Sequence, residues 1–206
     1  AHSLNLTFVY YGDPRTPNGT VAAVTPNYVI GVRPWWLDGV DSTKTVEDIA
    51  WQSPLMSQVA ADGMTVMVTK RIKNPDLPGA IKAVSMIVIM IKNLVDYFTT
   101  LKLTAHGLSY LTDGNLQLVA ATPPFQSYNL TSGKTYHANT SPDLQVSEAT
   151  VQWLNRCNSS KVSLSFRFTT SDSHDYFVEF ASVTAKGGLS WWLFVLTPPE
   201  DFLADL

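Results

Sequence analysis

The amino-acid sequence predicts an α+β fold in two similar modules, each a central antiparallel β-sheet with flanking helices. Strand-forming stretches occupy both ends of the chain and are joined by short turns, which is the pattern of antiparallel neighbours. Both halves follow one plan of strand, glycine turn, strand, loop or helix, and then long strands. Between the two halves the spacing of the apolar residues changes from that of a strand to that of a helix. Five apolar residues share one helix face: Ile91, Leu94, Val95, Phe98 and Leu101.

The first half of the chain is rich in β-branched and alternating residues. It predicts strands over 4–11, 20–24, 27–32, 64–72 and 80–89, a short helix over 35–40, and a loop or one helical turn over 45–50. The stretch 80–89 is apolar on both faces. That pattern predicts a central strand, paired with 64–72 in a hairpin.

The second half restarts the strand pattern around a turn of Thr112, Asp113, Gly114 and Asn115. An Asp-Gly pair accepts the positive φ angles of tight hairpins. Further strands are expected over 108–111, 116–121, 162–169, 176–183 and 189–196, with helices over 147–155 and 200–206. The predicted organisation is an N-terminal module of residues 1–90, a linker helix of residues 91–103 and a C-terminal module of residues 104–206.

Composition excludes several classes of protein. The 206 residues are 45% hydrophobic and 15% charged, so the chain can bury enough apolar surface to fold. The net charge is −3 and no basic block occurs, which argues against a nucleic-acid partner. The single cysteine, Cys157, rules out an internal disulfide and a cysteine-cluster metal site.

Catalytic and cofactor motifs are absent from the sequence. The four histidines are scattered without metal-ligand spacing, and Cys157 has no histidine near it. Neither a Gly-x-Ser-x-Gly elbow nor a phosphate-binding glycine loop occurs. We therefore expect no enzyme activity in this chain, no cofactor and no bound metal.

Asparagine sequons indicate an extracellular compartment. Four Asn-x-Ser/Thr sites are candidates for glycosylation: Asn5, Asn18, Asn129 and Asn158. A fifth, at Asn139, is weakened by the Ser141-Pro142 that follows. The alternative is that a Ser/Thr-rich surface produces these sites by chance.

The longest apolar run, 83–91, is shorter than the roughly 20 residues of a membrane-spanning helix.

Five motifs in order resemble the double Cache family of PAS-like sensor domains. The segment 188–203, with Trp191-Trp192 and Pro199-Glu200, resembles the family's last strand and exit helix. The other four are the hairpin 106–120, the Arg33-Pro34-Trp35-Trp36 element, the Trp51-x-x-Pro54 strand and the helix end 101–103. The family's long N-terminal helix has no counterpart in this chain.

The resemblance implies an extracytoplasmic ligand-sensing region of a plasma-membrane receptor. Residues 1–90 would be the membrane-distal module and residues 104–206 the membrane-proximal one, as monomer or homodimer, with transmembrane segments outside this chain. Ligand binding would close the distal sheet and shift the population between conformations of the domain. That shift would bias the conformation of the exit segment 200–206. The alternatives are a non-sensing adhesion or assembly module, such as a channel accessory subunit, and a secreted hydrolase, for which the sequence shows no nucleophile and base.

The resemblance also implies a small-molecule pocket in the distal module. Its expected residues are Tyr28, Arg33, Trp35, Trp36, Trp51, Leu55 and Ser57. Arg33 would hold a ligand carboxylate through two parallel hydrogen bonds, and the aromatic rings would exclude water.

The family's amino-acid pattern breaks in the second part of this pocket. Its later Tyr falls on Leu55, the acid near it on Ser57, and the Asp that pairs with a ligand amine near Val88. We therefore expect a carboxylate or an apolar ligand and not a typical amino acid, because an unpaired ammonium would be costly to bury. The alternative is that Trp35 and Trp36 are core residues and that Arg33 pairs with Asp38 or Asp41.

Overall fold

The structure is a computed structural model that describes most of the chain. The described residues are 4–10, 20–28, 33–40, 49–56, 64–77, 81–100, 104–129, 131–157, 165–185 and 188–203. Within them the chain forms three antiparallel sheets and four α-helices, in agreement with the predicted α+β class.

The chain begins with a two-stranded sheet. Strand β1 (Leu4–Tyr10) pairs antiparallel with β2 (Thr20–Tyr28), and two register shifts interrupt the ladder. The two short strands expected between residues 20 and 32 are thus one strand in the described residues. Helix α1 (Pro34–Val40) follows, with proline at the first helical position, where its missing N–H costs nothing.

A four-stranded sheet is built around β5 (Met64–Lys73). One edge of β5 pairs successively with β3 (Ile49–Trp51) and β4 (Leu55–Met56), and the other edge pairs with β6 (Ile81–Met90). The expectation of a loop or helical turn over 45–50 is wrong for Ile49 and Ala50. Both residues are strand because β5 supplies their backbone partners, Lys70 and Thr69.

The expectation that residues 80–89 form a central strand is also wrong within the described residues. There β6 pairs with β5 alone, and the side chain of Ile87 is 64% exposed. Apolar residues on both faces favour burial of a strand, but they do not specify how many neighbours it has.

Helix α2 (Ile91–Thr100) begins directly after β6 and confirms the predicted change from strand to helix at this point of the chain. Ile91 and Phe98 are buried, on the face that the apolar spacing predicts. On the exposed face Lys92 donates to Asp96 at 2.6 Å, one turn later.

A five-stranded sheet occupies the C-terminal half, in the order β8-β7-β11-β10-β9. Its strands are β7 (Leu108–Asp113), β8 (Leu118–Ala121), β9 (Ser165–Thr169), β10 (Asp175–Ala185) and β11 (Leu189–Thr197). The β7–β8 hairpin forms where it was expected, but its residue with positive φ is Leu116, at 62°, and not Gly114.

One face of this sheet packs against α3 (Leu144–Cys157), and the short helix α4 (Pro199–Leu203) follows β11. The shared core is aromatic: Tyr110 and Phe194 stack at 4.7 Å, and Trp153 of α3 meets Phe194 edge-on at 5.3 Å. Alternate residues of β9 and the start of β10 are buried, which is the pattern of a sheet with one covered face.

A second core joins the four-stranded and five-stranded sheets. It contains Met64 and Val66 of β5, Ile91 of α2, and Leu111 and Val119 of the five-stranded sheet. The two sheets therefore share buried apolar surface along α2.

Candidate functional site

The residues Arg33, Trp35 and Trp36 lie together at the start of α1. The carbonyl of Arg33 accepts hydrogen bonds from the backbone N–H of Trp36 at 3.0 Å and of Leu37 at 2.9 Å. Arg33 therefore stands immediately before the helix and begins its hydrogen-bond ladder. Helix α1 lies against β5 and β6, so this element is placed on the four-stranded sheet.

The side chains of this element are partly enclosed. Arg33, Trp35 and Trp36 are all half-buried, and the Nε atom of Arg33 is shielded from solvent. The two indoles meet edge-on, with ring centroids 6.0 Å apart and planes at 87°. An arginine close in the chain to two half-buried indoles supplies a group that can bind an anion and rings that can shelter an apolar group.

For two further expected site residues, Tyr28 and Leu55, the structure gives the strand and the pairing partner. Tyr28 is the last residue of β2 and pairs with Leu4, while Leu55 begins β4 and pairs with Thr65 of β5. Ser57 lies outside the described residues, as does Asp41, one of the alternative partners of Arg33. The ligand-binding roles of these residues stay predictions.

Trp51 has a partner in the other half of the chain. It is half-buried, and its ring meets that of Trp191 edge-on, with centroids 5.8 Å apart and planes at 72°. Both rings pack against the core that joins the two sheets. Trp51 thus belongs to the junction between the sheets, and its predicted role in binding a ligand stays a prediction.

A hydrogen bond that the sequence did not reveal lies at the same junction. The Ser53 hydroxyl donates to Oδ2 of Asp113 at 2.7 Å, across 60 residues of chain. The only sequence signal at either residue was the Asp-Gly turn. That turn is consistent with the local structure, in which Oδ1 of Asp113 accepts from the backbone N–H of Asn115 and Gln117, both at 2.9 Å.

The interior of the five-stranded sheet contains a buried hydroxyl pair. Tyr110 is fully buried, and its hydroxyl lies 2.9 Å from that of Thr150 on α3. Burial raises the pKa of Tyr110 well above its ordinary value, and the Thr150 hydrogen bond opposes that shift. This tyrosine is therefore neutral at physiological pH and serves packing.

An ion pair links the start of the C-terminal half to its last helix. The Nδ1 atom of His106 lies 2.7 Å from Oδ1 of Asp201, and the backbone N–H of His106 donates to Oδ2 at 2.7 Å. The Thr104 hydroxyl and His106 lower the pKa of Asp201 to about 2, and Asp201 in turn raises the pKa of His106. The pair attaches α4 to the loop that precedes β7.

The predicted glycosylation sites are only partly described. Oδ1 of Asn129 accepts from the backbone N–H of Thr131 and of Ser132, both at 2.9 Å, in a surface turn. Asn5 lies on β1, whereas Asn18 and Asn158 lie outside the described residues. All four sites remain predictions.

Within the described ranges no three His, Cys, Asp or Glu residues come close enough together to hold a metal ion. No described helix has the length and apolar character needed to cross a membrane.

Sequence comparison gives no relatives: no protein-family model matches the chain, and no curated protein does. Structural comparison finds chemoreceptor domains. The ligand-binding domain of the Pseudomonas fluorescens chemoreceptor CtaA, in complex with L-isoleucine, matches with a TM-score of 0.57 at 11% identity, over 93% of this chain and 69% of that one.

Two more solved domains match over similar lengths. The periplasmic sensory domain of the Campylobacter jejuni chemoreceptor Tlp1 has a TM-score of 0.60 at 14% identity, over 89% of this chain and 62% of that one. The Pseudomonas aeruginosa receptor PctC, in complex with GABA, has a TM-score of 0.55 at 14% identity, over 92% of this chain and 73% of that one. The chain therefore has the Cache-type, PAS-like α+β fold of chemoreceptor sensory domains, as its sequence motifs predicted.

Proposed function

We propose that this chain is the extracytoplasmic sensing region of a membrane receptor and that it binds a small molecule beside α1. The carrying observation is the half-buried Arg33 directly before a helix that presents two half-buried indoles, within a fold of chemoreceptor sensory domains. The proposed modules are residues 1–90 and 104–206, joined by the linker 91–103. Any catalytic output would lie in another domain of the receptor.

The ligand we propose carries a carboxylate. The neighbours were solved with L-isoleucine, L-Arg and GABA, each of which carries both a carboxylate and an ammonium group. A guanidinium binds a carboxylate through two parallel charge-assisted hydrogen bonds. This ligand class fits Arg33.

Whether the ligand also carries an ammonium group is a separate question. The amino acids of the neighbours give no support to our expectation of a ligand other than a typical amino acid. That expectation rests on Leu55 and Ser57, and on Val88 where the family has an Asp. We propose a ligand without an ammonium group, and matched compounds with and without that group test this directly.

The test is a thermal-shift and calorimetric screen of the purified chain. L-isoleucine is compared with 3-methylpentanoate, which has the same carbon skeleton and carboxylate but no ammonium, and GABA with butyrate. A ligand at 100 times its Kd stabilises the folded state by about 2.7 kcal/mol, or about 5–11 °C for a chain of this size. The proposal predicts that a carboxylate binds, and that the compound without the ammonium binds at least as well as its amino analogue.

The variant Arg33→Ala should weaken binding of that compound by at least about tenfold, since a hydrogen bond to a charged group contributes about 1.5–3 kcal/mol. Arg167→Ala is the matched control, because Arg167 is an exposed arginine of β9 that pairs with Asp175 of β10, and both residues lie in the five-stranded sheet and not in the sheet that carries α1. It should leave the affinity unchanged. Binding that survives Arg33→Ala would move the site elsewhere, and the absence of any binding would favour the adhesion or assembly alternative.

A further inference from the structure

The segment from β3 to β4, residues 49–56, contacts the five-stranded sheet at two neighbouring points. Ser53 donates to Asp113 at 2.7 Å, and the Trp51 ring meets Trp191 at 5.8 Å. Asp113 and Trp191 are themselves direct partners in the β7–β11 ladder. Both contacts therefore fall on the same pair of residues in the five-stranded sheet.

The Asp113 carboxylate, which accepts the hydrogen bond from Ser53, is fixed by hydrogen bonds within its own turn. Asp113 is only 6% exposed, and Oδ1 accepts from the backbone N–H of Asn115 and of Gln117. The backbone N–H of Asp113 also donates to the Gln117 carbonyl at 2.9 Å. With one oxygen used by the turn, Oδ2 remains directed at Ser53. Asp113 is thus a fixed acceptor that belongs to the five-stranded sheet.

The donating segment is attached to the sheet that carries the candidate site. Trp51 pairs with Val68 of β5, and the backbone N–H of Gln52 donates to the Met67 carbonyl at 3.0 Å. Leu55, a predicted ligand residue, follows Ser53 by two positions and pairs with β5 in turn. A shift of Ser53 would therefore be transmitted along the segment to Leu55.

We propose that Asp113 is a positioning residue for the ligand site of the N-terminal module, acting through Ser53 on the segment that carries Leu55. This proposal rests on the proposed function. The Ser53–Asp113 hydrogen bond and ligand binding favour the same position of the segment. Because coupling between two sites is reciprocal, ligand binding strengthens the attachment of the segment to the five-stranded sheet by the factor by which that attachment strengthens binding.

The first test measures affinity by calorimetry, with L-isoleucine, 3-methylpentanoate, GABA and butyrate as probes. Ser53→Ala removes the donor and should weaken binding about fivefold or more, the lower range of allosteric coupling. Asp113→Asn keeps an oxygen for its own turn and offers an amide N–H to the Ser53 hydroxyl, so it should weaken binding less. The double variant should bind no worse than Ser53→Ala, because Ser53→Ala already removes the hydrogen bond through which residue 113 acts.

Asp175→Asn is the matched control for the loss of a carboxylate. Asp175 lies on β10, where it accepts from Thr169 and pairs with Arg167, away from the junction. Its replacement should leave the affinity unchanged. Additive losses from Ser53→Ala and Asp113→Asn, or no loss from Ser53→Ala, would overturn the proposal.

The second test needs no ligand. Amide hydrogen exchange of the wild type and of Ser53→Ala is compared at residues 49–56 and at α3. Helix α3 packs on the aromatic core of the five-stranded sheet and not on the core that joins the two sheets. We expect faster exchange in residues 49–56 and unchanged exchange in α3. Equal acceleration of both regions would mean a merely structural role and would overturn the positioning role, as would no acceleration in either.

The two tests separate this inference from the proposed function. If none of the four probes binds the wild type, the proposed carboxylate site fails. Local acceleration of exchange would then still support the mechanical attachment of the segment by Asp113. Unchanged exchange would reject that attachment as well.

Discussion

The buried hydroxyl pair of Tyr110 and Thr150 supports a quantitative prediction about the core of the five-stranded sheet. The Thr150 hydroxyl has two neighbours: the Tyr110 hydroxyl at 2.9 Å and the Val146 carbonyl, to which it donates, at 2.8 Å. The Tyr110 hydroxyl has Thr150 and, at a long 3.5 Å, the same carbonyl. Removing one hydroxyl therefore has a different consequence from removing the other.

Tyr110→Phe should be the milder change. Thr150 keeps Val146 as its acceptor, so no donor is left unpaired, and the loss is one net hydrogen bond of about 1 kcal/mol. Thr150→Val instead leaves the buried Tyr110 hydroxyl with only the long contact to Val146. The desolvation penalty of an unpaired polar group raises the expected loss to about 2 kcal/mol.

The double variant distinguishes this account from simple additivity. With both hydroxyls replaced by apolar groups of similar shape, nothing polar is left unpaired at this point. The expected loss of free energy of unfolding is about 1 kcal/mol or less, smaller than that of Thr150→Val alone. In melting temperature these losses correspond to about 2–4 °C for Tyr110→Phe and about 4–8 °C for Thr150→Val.

The assay is urea unfolding of the wild type and the three variants, followed by circular dichroism and tryptophan fluorescence. The reasoning is refuted if Tyr110→Phe destabilises the protein as much as Thr150→Val does, or if the double variant loses the sum of the two. Either result would mean that the Tyr110 hydroxyl has another partner in the folded protein.

Three further predictions concern the surface. For Asp201→Asn, the melting-temperature difference from the wild type should be largest between about pH 4 and 6.5. It should shrink as the pH falls through the lowered pKa of Asp201, about 2, where the carboxylate becomes protonated, and as the pH rises above the raised pKa of His106, where the imidazolium is lost. Gly188→Ala should cost about 1–2 kcal/mol in urea unfolding because its φ is +80°, whereas Gly114→Ala, without positive φ, should cost less. Secretion from a eukaryotic host should give a glycan on Asn129 that glycosidase removes. Thr131→Ala should abolish the glycan and keep the turn, because the hydrogen bond from Thr131 to Asn129 comes from the backbone N–H.

Local patterns were sufficient for most elements of the fold. The helical spacing from Ile91 to Leu101 predicts α2, and the Asp-Gly pair predicts the β7–β8 hairpin. Even there the detail differed, because the turn uses Leu116 and not Gly114 for its positive φ. Ordered motifs such as the one at Arg33 and the one ending at Pro199-Glu200 were sufficient to predict the Cache-type fold.

The candidate site was predicted less completely. The Arg33, Trp35 and Trp36 element could be proposed from the sequence because its members are adjacent in sequence and lie at the start of one short helix, and its ligand-binding role stays a prediction. Motif order alone predicts Trp51 as a residue of the same pocket, and that role stays a prediction; the contact of its ring with Trp191 was visible only in the structure. Motif order specifies where a residue stands in the chain and not which neighbour its side chain contacts.

What the sequence determined by itself is thus the local structure: the period of each segment, the turns and the overall class. These follow from interactions between residues a few positions apart, which a single chain displays directly. Only the tertiary structure decided that Ile49 and Ala50 are strand, that β6 lies at the edge of its described sheet, and that Ser53 meets Asp113 across 60 residues. Each of these depends on a partner brought close by folding, because a hydrogen bond or ring contact between distant residues leaves no periodic trace in the sequence.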